Sequence, residues 1–590
     1  MTGGLLNLTA HGNQNIILTG NPKKTFFKTT YCHYTNFGKQ KFRVDFEGSK
    51  TINLNEKTQY DFKIPRNADL LMDTFLAIRI PNIWSTVFYN DTCDKWIPYS
   101  FQWIEHLGTQ MIEEIRFTVG GTTLQRMTGE YLTTLVQREF TNTKKDLYNK
   151  MTGNVNELKN PSKFIEETRG IYPDNFVNYR ENPGPNINWF RYGDHYPHVI
   201  RYDTTGSTPN IQQPISEPSI RGRYLYIPMN IWYMLSSKLA FPLVALQYNE
   251  LHIHVTLRPV REWFTINNVS TTTSSSCDSL SQRIQPNFAD PKHAFYRFIH
   301  PTPQIQSFIN DDDYIELEKP DLVWDDTRTV WDSDVHLMCT YIFLSDDERR
   351  SFAKHEQTYL FKSIYDYKYF GLHESNTVKL DALSMVSNYT FFFRRSDAYQ
   401  RNEWSNYSNY EFNQVNPFTQ GVITAPLFAL RGDASGSFDQ FFYTPSSNET
   451  YQKDILQTFA ILLDGKYRET EQIEGVYNYL DKYLQTAGNG PDGLYVYNFC
   501  LNSDPFTYQP SGALNMSKFK DIQFEFTIIR PPVNPSAQVL NICDPETGEV
   551  IGVQETANSI FKYTYDLHVF EERFNQVIFS NGNCGLLYAR

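Results

Sequence analysis

Two segments of this chain, Glu250-Leu-His-Ile-His-Val-Thr-Leu-Arg-Pro259 and Asp521-Ile-Gln-Phe-Glu-Phe-Thr-Ile-Ile-Arg-Pro531, read as one strand written twice. Each opens on an acid, alternates apolar positions (Leu251, Ile253, Val255, Leu257 against Ile522, Phe524, Phe526, Ile528), carries threonine at the same step and stops at Arg-Pro. Alternation with period two is the pattern of a half-buried β-strand. Proline has no N–H to give a ladder, so each segment is expected to end at or near a sheet edge, where the strand hands over to a loop. The repeat predicts two related β-modules in tandem, and a length of 590 residues accommodates two large ones. The 43 Phe and 39 Tyr favour sheets, whose pleated surface suits aromatic side chains.

Charge and cysteine usage exclude several classes. A net charge of −12 argues against a nucleic-acid coat, which needs clustered cations. The first fifty residues differ: Lys23, Lys24, Lys28, Lys39, Lys41, Arg43 and Lys50 face only Asp45 and Glu47, a basic arm suited to an anionic membrane or an acidic partner. The seven cysteines are odd in number and scattered, with no C-x-x-C pair, which points to a reducing compartment and against a zinc site. The longest clean apolar run, Leu239–Leu246, is about a third of a membrane span and holds Pro242. Cytosolic synthesis and assembly are expected.

The punctuation of the chain divides it into an arm (1–40), a first module (41–266), a linker (267–300) and a second module (301–590). Strands are expected at Phe42–Phe46, Thr58–Ile64 and Thr74–Ile80. Ile115–Val119 and Thr122–Arg126 form a hairpin around Gly120-Gly121, which can supply positive φ. The first module closes near Pro259. The second begins near residue 300, with an early strand at Val335–Leu344 that runs into Ser345-Asp-Asp-Glu348, a capping box opening a short helix to about Tyr359. Another helix is expected at Glu469–Thr486. The stretches 136–222 and 395–490, rich in Asn, Tyr, Pro and Gly, read as long loops carrying small helices.

Catalytic motifs are absent or out of context. Gly488-Asn-Gly490-Pro-Asp-Gly493 has the spacing of a dinucleotide loop but follows a helix and precedes a strand, the reverse of the required order. His252 and His254 share one strand face and could ligate a metal, although no third ligand is placed. Asp311–Asp313 and Asp346-Asp347 offer carboxylates that a solvated loop and a helix start explain better. Arg431-Gly-Asp433 is a loop tripeptide. N-x-S/T triplets begin at Asn7, Asn90, Asn268, Asn388, Asn406, Asn448 and Asn515, with Asn268 and Asn448 the glycosylation candidates. No catalytic residue, cofactor site or metal site is assigned.

A run of short motifs then resembles the double jelly-roll major capsid proteins of the nucleocytoplasmic large DNA viruses, closest to the mimivirus-like branch. They are Gly3-Gly-Leu-Leu6, Leu18-Thr-Gly-Asn-Pro22, Phe26-Phe27-Lys28, Tyr34-Thr-Asn-Phe37, Val119-Gly-Gly121, Gly129-Glu-Tyr131 and Phe241-Pro-Leu-Val-Ala-Leu-Gln-Tyr248. The second half adds Phe343–Phe352, Arg401–Tyr407, Gln509-Pro-Ser-Gly-Ala-Leu-Asn515 and Ser580–Tyr588. Asn376-Thr-Val-Lys379, with no tryptophan nearby, departs from the His-Pro-Val-Lys run of many members. The resemblance implies an all-β chain of two tandem eight-stranded jelly-roll sandwiches with long loops and a few short helices. It marks Gly120, Gly121, Pro242, Gln247, Tyr248, Pro510, Ser511, Gly512 and Asn515 as structural positions. It implies a homotrimeric, pseudo-hexagonal capsomer in the virion shell, loops outward and arm at the base. The partners would be neighbouring capsomers, minor capsid and penton proteins and an internal membrane, without direct nucleic acid. A minor capsid or spike component of the same fold, and a carbohydrate-binding β-sandwich, are the alternatives.

Overall fold

The computed structural model describes residues 12–90, 95–99, 101–159, 215–269, 283–301, 323–413, 452–507, 509–534 and 560–588, with short strand segments between them. Among the described residues the first sandwich is framed by β1 (Phe37–Asp45), β2 (Thr58–Ile64), β3 (Leu70–Arg79), β4 (Ile112–Val119), β5 (Thr122–Thr128), β6 (Tyr224–Pro228), β7 (Leu251–Leu257) and β8 (His336–Leu344), with Phe241–Pro242 as a short addition beside β3. One sheet runs β1-β8-β3-β6, the other β2-β7-β4-β5, all antiparallel. The second sandwich repeats the scheme with β9 (Gln357–Leu372), β10 (Ser375–Lys379), β11 (Met385–Arg395), β12 (Leu456–Leu463), β13 (Lys466–Tyr467), β14 (Leu494–Asn498), β15 (Ile522–Ile528) and β16 (Tyr565–Ser580). Its sheets run β9-β16-β11-β14 and β10-β15-β12-β13, with β17 (Asn583–Leu586) folding back on β16. Both are jelly rolls with the same strand order.

The repeated strand thus occupies the seventh place in each sandwich, and both copies bury every second residue. Each lies between two neighbours in the middle of its sheet, so the Arg-Pro endings mark the end of the strand and not the rim of the sheet. At the β4–β5 hairpin Gly120 and Gly121 take φ of 54° and 84°, as a primed turn requires.

Four expectations are corrected. The strand at 336–344 belongs to the first sandwich, where it fills the gap between β1 and β3 and sends Leu337, Cys339 and Tyr341 into the first core. The first module therefore does not close near Pro259: without an eighth strand, β1 would have no partner in its sheet. Between β7 and β8 lie 78 residues, of whose described part Trp263, Phe264, Phe295 and Phe298 stay in the first core, and local pattern cannot distinguish this stretch from a linker. Second, the helix after it, α3 in chain order behind α1 (Gly129–Glu139) and α2 (Asn142–Thr152), spans Asp346–Lys354, and Ser345 makes no side-chain cap bond. From Gln357 the backbone is already in β9, whose alternating pattern takes over. Third, the stretch 395–490 hides β12, a strand flanked by polar segments that dilute its signal. Fourth, the helix at 469–486 is shorter, a π-turn at Val476–Leu480 continued by α4 (Asp481–Gln485).

Candidate functional site: the seam between the sandwiches

Helix α1 lies in the connection between the fifth and sixth strands of the first sandwich, yet packs against the second. Thr128 starts it by accepting a hydrogen bond from the Tyr131 amide (3.2 Å). A Cβ on Gly129 would stand 2.0 Å from the Thr109 carbonyl oxygen, so only glycine fits at the entry. Leu132 and Leu135 join the first core, while the Tyr131 ring meets Phe570 of β16 edge-on at 5.6 Å. The apolar seam continues with Trp232 against Tyr359 and Phe361 (5.6 and 5.7 Å) and Phe241 against Phe579 (5.1 Å). The first core cluster therefore runs on into the outer face of the second sandwich without a break.

Two buried ionic knots lie in this seam. In one, Arg138 Nη2 donates to Glu572 Oε1 (2.6 Å), Nε to Glu139 Oε1 (2.5 Å) and Nη1 to Thr390 Oγ1 (2.5 Å), while Lys362 Nζ holds Glu572 Oε2 at 2.9 Å. Burial opposes ionisation of Glu572, but Arg138 and Lys362 override it and hold the carboxyl far below the usual range. In the other, Arg394 Nη1 donates to Glu130 Oε1 at 2.9 Å, with Arg258 at 3.4 Å, His568 at 3.4 Å and Lys368 at 3.6 Å from the same carboxylate. Burial again opposes the charge and Arg394, His568 and Arg258 outweigh it, so Glu130 is also held well below its ordinary value. Buried pairs of this kind add little net stability over apolar packing but are costly to break.

Burial, and then the Arg394 cation, push His568 down to about 4 in spite of Glu130. An unfolded imidazole titrates near 6.5, so between about pH 6.5 and about pH 4 the unfolded chain takes up a proton that the folded chain refuses. This contribution to stability is complete above the upper limit and is lost as pH falls through the window, on the order of 3 kcal/mol in all. His568→Gln should flatten the pH dependence of the thermal midpoint there; an unchanged slope would remove His568 from the account.

The motif residues gather around the same seam. Gln247 and Tyr248 donate their amides to the Gly582 carbonyl (2.9 and 3.3 Å) in the β16–β17 turn, and a Cβ on Gly582 would meet the Tyr248 ring at 2.9 Å. Pro242 pairs with Leu70 of β3, and Gly120 packs on Asn249, whose side-chain amide donates to Asn583 (3.3 Å). Motifs from the two halves of the chain therefore meet. Pro510 and Ser511 line a seam cavity of about 70 Å³ together with Trp232, Lys362, Cys500 and Glu572. Ser511 Oγ donates to the Asn502 carbonyl (2.8 Å); Gly512, at φ 137°, and Asn515, which accepts from Ser517 N (3.1 Å), order the neighbouring turn.

The other candidates have structural roles. His254 is held by Asp61 (2.6 Å) and Thr118 (3.1 Å), one at each ring nitrogen, and His252 stacks beside it. Among the described residues no cluster of His, Cys, Asp and Glu could hold a metal. Gly488 of the inverted glycine motif donates its amide to the Arg138 carbonyl (2.9 Å), where a Cβ would stand 2.6 Å from that oxygen. Asp346 pairs with Arg349 (3.1 Å). Asn388 is fully buried and bonded to Arg138 and Glu572, Asn406 is bonded to Glu403 and Tyr410, and Asn268 is half-buried. Asn7, Asn448, Asp311–Asp313 and Asp433 lie outside the described residues, as does the Asn90 side chain. No helix among the described residues is long and apolar enough to cross a membrane. Arg138, Arg394, His568 and Glu572 are not singled out by sequence, and Glu130 enters only as the middle of the Gly129-Glu-Tyr131 motif. Their signal is charge inside apolar runs, as in Phe391-Phe-Phe-Arg394 and Val569-Phe-Glu-Glu572.

Two family models match in the same order as the sandwiches: residues 25–292 match the major capsid protein N-terminus, and 348–585 match the large eukaryotic DNA virus major capsid protein. The chain belongs to the major capsid proteins of the large eukaryotic DNA viruses. The capsid protein of Phaeocystis pouchetii virus is 23% identical over 583 residues, 90% of this chain and 93% of that one. That of Chrysochromulina ericina virus is 29% identical over 280 residues, 44% of this chain and 42% of the relative. The solved Faustovirus major capsid protein superposes with a TM-score of 0.56 at 13% identity, covering 98% of this chain and 99% of that one. This capsid protein is structural and not an enzyme, and the seam is the architectural centre of its chain.

Proposed function

We propose that three chains form a pseudo-hexagonal capsomer that tiles the outer shell of a large DNA virus, assembled in the host cytoplasm. The observation that carries this reading is the recurrence of one strand order in two sandwiches joined by a buried seam: a chain that already holds two near-equivalent units needs threefold symmetry to present six. Heterologous contacts that close on themselves give rings of this kind. Light scattering on the purified protein should give three times the 69.0 kDa chain mass, stable to dilution; a stable monomer would sink the reading.

The arm supports a second element of it. Ile16, Ile17, Leu18, Phe26, Phe27, Tyr31 and Tyr34 are all exposed on a segment that also carries Lys23, Lys24 and Lys28. An apolar and basic arm suits minor capsid or penton proteins, or the anionic surface of an internal membrane. Deleting residues 1–30 is expected to leave capsomers intact and weaken shell assembly; loss of the capsomer itself would overturn this role.

A further inference from the structure

The seam inside the chain has a counterpart that the single chain leaves open. Within the chain, the connection between the fifth and sixth strands of the first sandwich carries α1, which covers the outward face of the third and eighth strands, β11 and β16, of the second. The equivalent connection of the second sandwich, between β13 and β14, carries the helical segment Val476–Gln485. That segment buries Tyr477, Asn478 and Lys482 against its own sandwich, while Tyr479, Leu480, Tyr483 and Leu484 are 54%, 54%, 88% and 67% exposed on the opposite face. The equivalent receiving face is the outward side of β3, β8 and β6 in the first sandwich. There Leu76, Ile78, Leu337 and Cys339 point into the core, so by alternation Phe75 and Met338, paired in register, point out. Tyr224 and Tyr226 of β6 stack beside them (6.2 Å) and are 38% and 42% exposed.

Charge agrees with shape. Residues 469–485 hold Glu469, Glu471, Glu474 and Asp481 against one base, Lys482, whose ammonium turns inward to Asn478 Oδ1 and the Pro491 carbonyl (both 2.8 Å). The receiving face carries Lys39 and Lys41 exposed on β1, beside Arg43, which pairs with Asp45 and Asp334, and Arg79, which pairs with Asp332. An acidic segment with an aromatic face is thus matched by a sheet with an aromatic centre and two lysines at its β1 edge.

We infer that Val476–Gln485 of one chain docks on the outward face of β6-β3-β8-β1 of a second copy, repeating between chains the contact that α1 makes within one. Alternating the internal and external contacts closes a ring of six sandwiches from three chains. The inference rests on the capsomer reading and names the surface that reading needs.

Two double variants test it, one on each side of the contact: Tyr483→Glu with Leu484→Glu, and Tyr226→Glu with Lys41→Glu. Each is expected to keep its far-UV circular dichroism and to fall from three chain masses to one by light scattering. A wild type that is itself a monomer would refute the capsomer, whereas a trimeric wild type with trimeric variants would refute only this contact. A readout on the unmodified protein stands beside the variants. Carbodiimide treatment of the wild-type trimer should join Lys39 or Lys41 to Glu469 or Glu471 across chains, in bands of two and three chain masses. Interchain links that avoid both segments would overturn the inference whether or not the variants fold.

Discussion

Arg138→Met should cost about 3–5 kcal/mol, the typical effect of removing one member of a buried ion pair. Methionine fills much of the arginine's volume, so packing is largely kept and the loss is electrostatic. Glu572 would retain Lys362, but Glu139 would lose its cation and be left with the Ser503 hydroxyl (2.7 Å) and the Ala487 amide (3.4 Å). Thr390 and Asn388 would also lose the donor that ties β11 to α1. The urea midpoint of the variant measures the loss. Adding Glu139→Gln to it should recover part, because the second change removes the stranded charge and the two sites are in direct contact. A single variant within about 0.5 kcal/mol of wild type would mean that the knot is decorative and that apolar packing alone sets the angle between the sandwiches.

What the sequence made legible follows from the range over which each signal acts. The two copies of the seventh strand carry their own alternation, and the tight β4–β5 turn carries its own glycines, so both could be read locally. The partner of a strand is a different kind of fact. Val335–Leu344 is recognisable as a strand, but nothing within it states that its neighbours are Phe37–Asp45 and Leu70–Arg79. The seam is less legible still, because Glu130 and Glu572 look like solvated charges until the fold places Arg394, Arg138 and Lys362 around them. The motifs at 241–248 and 580–588 were visible as short words, yet that they touch each other through Gly582 is a property of the assembled chain.

The placement of the eighth strand leads to the other large effect. Leu337 is fully buried in the first core, paired across to Leu76 of β3 and Val44 of β1. Leu337→Asp puts an unpaired carboxylate there, which should cost on the order of 4 kcal/mol or more even if the group takes up a proton. The informative quantity is where the damage appears. If residues 301–590 formed the second module, hydrogen exchange should rise in its framework, including Ile522–Ile528. With the strand order found, protection should fail first in β1, β3 and β7 of the sandwich that lies earlier in the chain, while Ile522–Ile528 remains protected at least until the seam gives way. Uniform loss across both copies of the repeated strand would mean that the seam makes the two sandwiches one cooperative unit. Loss confined to the second copy would refute the placement of the eighth strand.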